Sequence, residues 1–351
     1  MTSGPSPRRV LICEDSRAYA TALSRFLERD EEIEVVGIAP TGEGAIADVE
    51  RLRPDLLTLD MQLPGMDGLA VVKGLMGSSP LPIVILSAKV ARGSEQAAEA
   101  LAAGALEVLA KDMLRLDQPD DVWAQAMRSR LRRLSSMRVG GASIGPRRRS
   151  PAASPDAAGL GSRSALTIGI GASTGGPPAL ETILGGLPAD FAVPVLVVQH
   201  MAPGFIEGFA RWLDHKLAID VRIAAEGDRA TPGVWFAPDG AHLQLTGSMR
   251  LALQREPDGP HRPSVDALLG SLAEAAGSDA VGVVLTGMGR DGAAGATEVR
   301  GAGGIVIAQD EASSVVYGMS RAVAEDGADL VASPPEIAVA LSALRPARQG
   351  S

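Results

Sequence analysis

The sequence of 351 residues contains a single cysteine, so no internal disulfide can form and a reducing compartment is expected. That residue, Cys13, closes the apolar run Val10–Cys13 with no activating base beside it, which makes it a small strand residue rather than a reactive thiol. Histidine is scarce as well: only His200, His215, His242 and His261 are available to any chemistry that needs a general base. No stretch approaches the ~18 uninterrupted apolar residues that would cross a bilayer. The apolar run near the N-terminus is too short for a signal-peptide core. A soluble, cytoplasmic chain with no direct membrane insertion is expected. Basic charge is also in deficit, with 33 Lys and Arg against 42 Asp and Glu and a formal net charge of -9. That balance argues against nucleic acid as a partner, because gripping phosphates takes a concentrated basic face.

What the sequence does have is core-forming material, at 46% hydrophobic and 21% charged residues, over a length that favours two domains. Short apolar runs at Val10–Cys13, Ile33–Ala39, Leu56–Leu59, Ile83–Leu86 and Leu106–Ala110 alternate with helical patterns near 17–27, 44–52, 69–76, 95–102 and 122–134. Five strands interleaved with helices predict a parallel sheet covered on both faces. Gly, Ser, Pro, Ala and Arg then dominate, without periodicity, which reads as a flexible linker. Within it, Arg147-Arg148-Arg149 read as solvated charge. Alternation resumes with strands near 166–170, 195–198, 221–224, 281–285 and 305–308, and with helices near 178–184, 205–217, 265–276 and 336–344. β character from Val234 to Leu253, with a turn at Thr246-Gly247-Ser248, adds a small antiparallel insertion. The expected fold class is α/β: two doubly wound, mostly parallel-sheet domains, the first five-stranded and the second Rossmann-like. The expected boundaries are 1–136, a linker over 137–164, and 165–351.

Functional side chains in such sheets gather at the carboxyl ends of strands. In the first domain those ends offer Glu14 and Asp15, Asp60, Ser87 and Lys111. Three converging carboxylates call for a cation, and an all-oxygen set suits Mg²⁺ shared with phosphate oxygens. An aspartate, a hydroxyl, a lysine and a metal together make a phosphoryl-acceptor site with Asp60 as nucleophile.

In the second domain, Gly171-Ala172-Ser173-Thr174-Gly175-Gly176 joins a strand to a helix, a tight turn that presents the Ser173 hydroxyl beside a helix N-terminus. A serine nucleophile needs a base and an orienting acid. His200 follows the strand ending in Gln199, and Asp291 follows the strand near 281–285, so three strand ends offer the order Ser173, His200, Asp291. An α/β-hydrolase order, with acid before histidine, cannot be built because no histidine lies beyond His261. A dinucleotide site would want an acidic residue where Gln199-His200 stands. A second domain that only binds a protein or ligand stays open, as does the reading of Ser173 and Asp291 as helix caps.

Over roughly 9–136, the segments Cys13-Glu14-Asp15-Ser16, Leu59-Asp60-Met61-Gln62-Leu63-Pro64-Gly65-Met66-Asp67-Gly68, Leu86-Ser87-Ala88 and Ala110-Lys111 resemble the response-regulator receiver domain. The resemblance implies Asp60 as phosphoacceptor, Glu14, Asp15 and Asp60 around Mg²⁺, and Ser87 and Lys111 on the phosphoryl oxygens. Two positions depart from the pattern: Val108 stands where an aromatic switch residue is usual, and Asp112 where a proline is usual. A cis bond before a non-proline costs about 3–4 kcal/mol, so Lys111–Asp112 is expected trans.

From about Leu166 to Ala340 the chain resembles the catalytic domain of the chemotaxis protein-glutamate methylesterases. The match is carried by Ile170-Gly171-Ala172-Ser173-Thr174-Gly175-Gly176-Pro177, Gln199-His200-Met201, Phe236-Ala237-Pro238, Arg262-Pro263-Ser264-Val265-Asp266, Thr286-Gly287-Met288-Gly289-Arg290-Asp291-Gly292 and Val316-Tyr317-Gly318-Met319. By resemblance, Ser173, His200 and Asp291 hydrolyse glutamate methyl esters on chemoreceptors and deamidate certain receptor glutamines. Backbone N–H groups of Thr174 and Met288 are the oxyanion-hole candidates, and the esterase chemistry needs no cofactor. The implied partners are methyl-accepting chemotaxis receptors as substrate and the chemotaxis histidine kinase as phosphodonor, with phosphorylation relieving a covered catalytic cleft.

Overall fold

A computed structural model describes residues 6–87, 95–118, 120–137, 139, 163–256 and 261–347. The chain divides into two compact units, Met1–Gly141 and Ala142–Ser351. Most of the stretch expected as a linker, including Arg147-Arg148-Arg149, lies outside the described residues.

In the first unit, strands β1 (Arg8–Cys13), β2 (Ile33–Ala39), β3 (Leu56–Asp60), β4 (Ile83–Ser87) and β5 (Glu107–Ala110) form one sheet in the order β2-β1-β3-β4-β5. Every neighbouring pair is parallel. Both faces are covered by helices, and so the central strands are apolar throughout rather than alternating: Val10 to Cys13, Leu56, Leu57 and Ile83 to Ile85 are all at most 1% exposed. Helices Arg17–Leu27, Gly42–Leu52, Gly68–Ser78 and Val122–Ser135 each begin after a side chain that accepts a first-turn N–H, from Ser16, Thr41, Asp67 and Asp121. Because β1 lies between β2 and β3, the chain leaves it in one direction and later returns on its other side. The crevice opens at the carboxyl ends of β1 and β3, where Glu14, Asp15 and Asp60 stand.

In the second unit, strand β6 (Ser164–Ala165) pairs with β16 (Arg345–Pro346), so the last residue of the expected linker belongs to ordered structure here. The main sheet contains β7 (Thr167–Ala172), β8 (Pro194–Gln199), β9 (Val221–Ile223), β10 (Gly233–Phe236), β13 (Ala280–Val284), β14 (Ile305–Gln309) and β15 (Leu330–Ala332). Its order is β15-β14-β13-β7-β8-β10-β9, parallel throughout. The antiparallel insertion is the hairpin β11 (His242–Leu245) and β12 (Leu251–Gln254), turning through Thr246 to Arg250. Strand β10 belongs to the parallel sheet and not to that insertion. Helix Met319–Gly327 and strand β15 had no sequence expectation; the helix is short and polar on one side, and three residues of strand carry no readable period. The switch point falls at β7, flanked by β8 and β13. Ser173, His200 and Asp291 follow those three adjacent strands. Among the described residues no helix is long and apolar enough to cross a membrane.

Candidate active site and phosphoacceptor pocket

Strand β7 hands the chain to helix Gly176–Gly185 through a turn with Gly175 at φ 78. At that position a side chain would meet Val315 Cβ at 2.5 Å, so both the left-handed backbone and the close packing require glycine. The turn is anchored on both sides. Ser173 N donates to Thr286 O at 3.0 Å, His200 N donates to Ala172 O at 2.9 Å, and the Thr286 hydroxyl donates to Thr174 O at 3.0 Å. Gly287 brings the loop after β13 against the serine, since a Cβ there would stand 2.7 Å from Ser173 Cβ. Gln199 closes the arrangement: its Nε2 donates to the carbonyls of both Ser173, at 3.0 Å, and His200, at 2.8 Å. One buried amide thus fixes the backbone of the expected nucleophile to that of the expected base. Its other atom, Oε1, is buried without a hydrogen bond.

The His200 side chain is 11% exposed, and its Nε2 lies 2.9 Å from Asp291 Oδ2. That contact has ion-pair distance but not hydrogen-bond alignment, because both ring nitrogens are buried without a hydrogen-bond partner. No hydrogen bond therefore joins the Ser173 hydroxyl to the ring, an arrangement compatible with a pair that tightens on substrate. Asp291 is more firmly held. Its Oδ1 accepts from the Ser264 hydroxyl at 2.9 Å and from Asp266 N at 3.0 Å, and its Oδ2 accepts from Val265 N at 2.9 Å. The carboxylate sits on the N-terminus of helix Val265–Ala276, where the helix dipole favours negative charge. Burial by itself would raise the Asp291 pKa; the His200 ring and the N–H groups of Asp266 and Val265 outweigh it and hold the carboxyl well below the usual range.

Thr174 is buried at the start of the turn, and Met288 lies next to Gly287 on the loop that abuts Ser173. Three contributors carried no sequence signal of their role. The imidazole of His261 stacks on that of His200 with ring centroids 4.4 Å apart. The Ser264 hydroxyl holds Asp291, and His242 Nδ1 accepts from Ser264 N at 3.2 Å. His215 is exposed in the last turn of helix Ile206–Lys216, as its pattern implied.

In the first unit, ligand atoms of Glu14, Asp15 and Asp60 all lie within 4.8 Å of one another. Lys111 Nζ bridges Glu14 Oε2 at 2.5 Å and Asp60 Oδ2 at 2.7 Å, with all three side chains largely buried. Burial alone would lower the Lys111 pKa, but hydrogen bonds to Asp60 and Glu14 outweigh it and keep the ammonium above its ordinary value. The Glu14 pKa is raised as well, because burial outweighs the opposing hydrogen bond and charge of Lys111. A carboxylate-only cluster with one cation already in place fits a small hard ion such as Mg²⁺. Ser87 ends β4, beside Ala110 at the end of β5. The Lys111–Asp112 bond is trans, and Val108 is buried in β5. The aromatic group at this pocket comes instead from Tyr19, whose ring lies 4.5 Å from Lys111 Nζ. Burial pushes the Cys13 thiol up to about 12, so it stays protonated and inert.

The two units and their sites define a class: a receiver joined to a serine-hydrolase-like α/β domain. Residues 10–118 match the response regulator receiver domain, and residues 168–341 match the CheB methylesterase family. The chain is 40% identical to protein-glutamate methylesterase/protein-glutamine glutaminase 2 of Anaeromyxobacter dehalogenans, over 98% of this chain and 99% of the relative. It is 41% identical to number 1 of Syntrophus aciditrophicus, over 94% of this chain and 96% of that one. The crystal structure of the Thermotoga maritima CheB methylesterase catalytic domain matches at a TM-score of 0.50 and 40% identity, covering 51% of this chain and 98% of that structure. The chain belongs to the protein-glutamate methylesterase/protein-glutamine glutaminase family, and its receiver domain implies Mg²⁺ binding by the cluster of Glu14, Asp15 and Asp60.

Proposed function

We propose that this chain hydrolyses glutamate 5-O-methyl esters on methyl-accepting chemotaxis receptors, and deamidates particular receptor glutamines, under control of its phosphorylated receiver. The observation that carries the reading is the meeting of Ser173, His200 and Asp291 at three adjacent strand ends, with His200 Nε2 2.9 Å from the Asp291 carboxylate.

Ser173 Oγ attacks the ester carbonyl while its proton passes to His200. With Nε2 turned to Asp291, Nδ1 is the nitrogen left to take it. Asp291, ionised throughout the working pH range, stabilises the imidazolium that forms. Backbone N–H groups of Thr174 and Met288 receive the oxyanion. Collapse expels methoxide, which takes the proton from His200 and leaves as methanol; water then releases the glutamate by the reverse sequence of proton transfers. An amide enters the same route with ammonia as the leaving group, which supports the glutaminase activity. No step draws on a cofactor in the second unit.

In the receiver, Asp60 accepts a phosphoryl group from the chemotaxis histidine kinase, and Ser87 and Lys111 hold its oxygens. Mg²⁺ held by Glu14, Asp15 and Asp60 would offset the charge of carboxylates and phosphoryl oxygens brought together there. Phosphorylation shifts the chain towards its active arrangement. Because the family is cytoplasmic in its work on receptor tails, the same setting is proposed here.

The test is methanol release from methylated receptor by the intact chain and by Ser173→Ala. Turnover is expected from the first and none above background from the second. A Ser173→Ala chain that keeps its turnover would sink the assignment.

A further inference from the structure

The His200 ring is short of anchors. Among the described residues its one polar contact, Nε2 to Asp291 Oδ2 at 2.9 Å, lacks hydrogen-bond alignment, and neither ring nitrogen has a hydrogen-bond partner. Rotation about the terminal bond of a histidine is broad and roughly two-fold, so hydrogen bonds alone leave the plane of this ring poorly defined. What does meet the ring is the face of His261, with centroids 4.4 Å apart and planes 10° from parallel. His261 is half-buried and opens a short segment that also touches the acid. Three residues on, the Ser264 hydroxyl holds Asp291 Oδ1, and Val265 N holds Oδ2. One segment therefore reaches both the face of the base and the carboxylate at its edge.

We propose that His261 is a positioning residue that fixes the plane of the His200 ring by face-to-face stacking. The inference rests on His200 being the base in the reaction proposed above. A parallel neighbour lets the ring slide in its own plane, but rotation out of that plane drives ring edges into the neighbouring face. Proton transfer from the serine needs the accepting nitrogen on a near-linear path, so the plane of the ring sets the efficiency of the step. The same contact also suits the charge that develops, because an aromatic face lies against the imidazolium. The requirement is for a flat aromatic surface, not for the nitrogens of His261 themselves.

Methanol release by the full chain is measured for His261→Ala, His261→Leu, His261→Phe and Ser173→Ala, alongside thermal midpoints. His261→Ala should lower kcat about tenfold with KM little changed, since misplacing a reacting group costs on this order or more. His261→Leu, with bulk but no flat face, should do no better, whereas His261→Phe should recover to within about threefold of the parent chain. Unchanged kcat in His261→Ala overturns the proposal. So does a loss that Phe fails to restore while the midpoints match, because the nitrogens of His261 would then be what counts. Ser173→Ala separates the two readings: turnover surviving there removes the base-catalysed scheme itself, whereas turnover lost there and intact in His261→Ala removes only the role of His261.

Discussion

Asp291 has three protein donors on its two oxygens, in addition to the His200 ring. Each donor favours the ionised form, so folding weakens the grip of this carboxyl on its proton. The unfolded chain then takes up the proton first as the solution is acidified. The stabilisation is complete above the ordinary aspartate value near ~4 and disappears as pH falls through the lower folded value. Asp291→Asn removes this dependence, and it also turns an amide N–H towards donors that cannot accept it. Its thermal midpoint should lie below that of the parent chain at about pH 7, and the gap should narrow only in part by about pH 3, where the folded carboxyl is still ionised. A constant gap across that range would mean that Asp291 contributes no acid-linked stability. Residues of this kind divide by how they could be read. Ser173, His200 and Asp291 were legible as strand-end neighbours because each directly follows a strand, or a short loop after one, and strand ends converge. Gln199, His261 and Ser264 were not, because an amide that spans two carbonyls, a ring that covers a ring and a hydroxyl that holds a carboxylate acquire meaning only once three loops are brought together.

Two helices exchange carboxylates at their starts. Asp291, just ahead of helix Ala293–Gly301, accepts from the first turn of helix Val265–Ala276, while Asp266, in that first turn, accepts at Oδ1 from Gly292 N and Gly295 N, both at 2.9 Å. Each helix thereby satisfies donors that the other leaves open. Burial raises the Asp266 pKa, with the nearby Asp291 carboxylate adding to it and the two glycine N–H groups opposing. Asp266→Ala should cost about 1–2 kcal/mol, the scale of a lost helix cap. Asp266→Asn, which keeps an Oδ1 acceptor, should cost less than Ala in the same denaturant titration. Equal stability of all three chains would show that the exchange carries no weight. The helix Val265–Ala276 itself was readable to the residue from its apolar spacing, and the structure adds Ser264 as its cap. The starts of other elements were less so. Helix Gly176–Gly185 begins two residues before its expected start because Gly175 supplies the left-handed turn ahead of it. Strand β10 was read together with the hairpin that follows it, because β character along a sequence does not say which sheet will accept a strand.

Over the whole chain, the same construction occurs twice: a parallel sheet, a switch point, and polar groups set where the strand order reverses. In the second unit those groups fit bond cleavage; in the first they fit charge storage, with a lysine already clamped between two carboxylates. The fold class was legible throughout because strands buried on both faces read as unbroken apolar runs. The route of a signal out of the receiver was not, because Val108 and Asp112 replace the residues from which it would be read, and the aromatic group near Lys111 arrives from a different element, in Tyr19. A phosphoryl group on Asp60 brings new oxygens to Lys111 and competes with the Glu14 contact, so the pocket must rearrange whichever side chain transmits the change. If that rearrangement reaches the second unit, acetyl phosphate with Mg²⁺ should raise methanol release by the intact chain at least about fivefold, the lower end of common coupling between sites. Asp60→Asn should show no response to the phosphodonor, and chelating the metal should abolish the response in the parent chain. Stimulation that survives Asp60→Asn would move the acceptor elsewhere. A parent chain that takes up phosphoryl without changing its rate would uncouple Val108 and Asp112, as this chain combines them, from any control of the esterase.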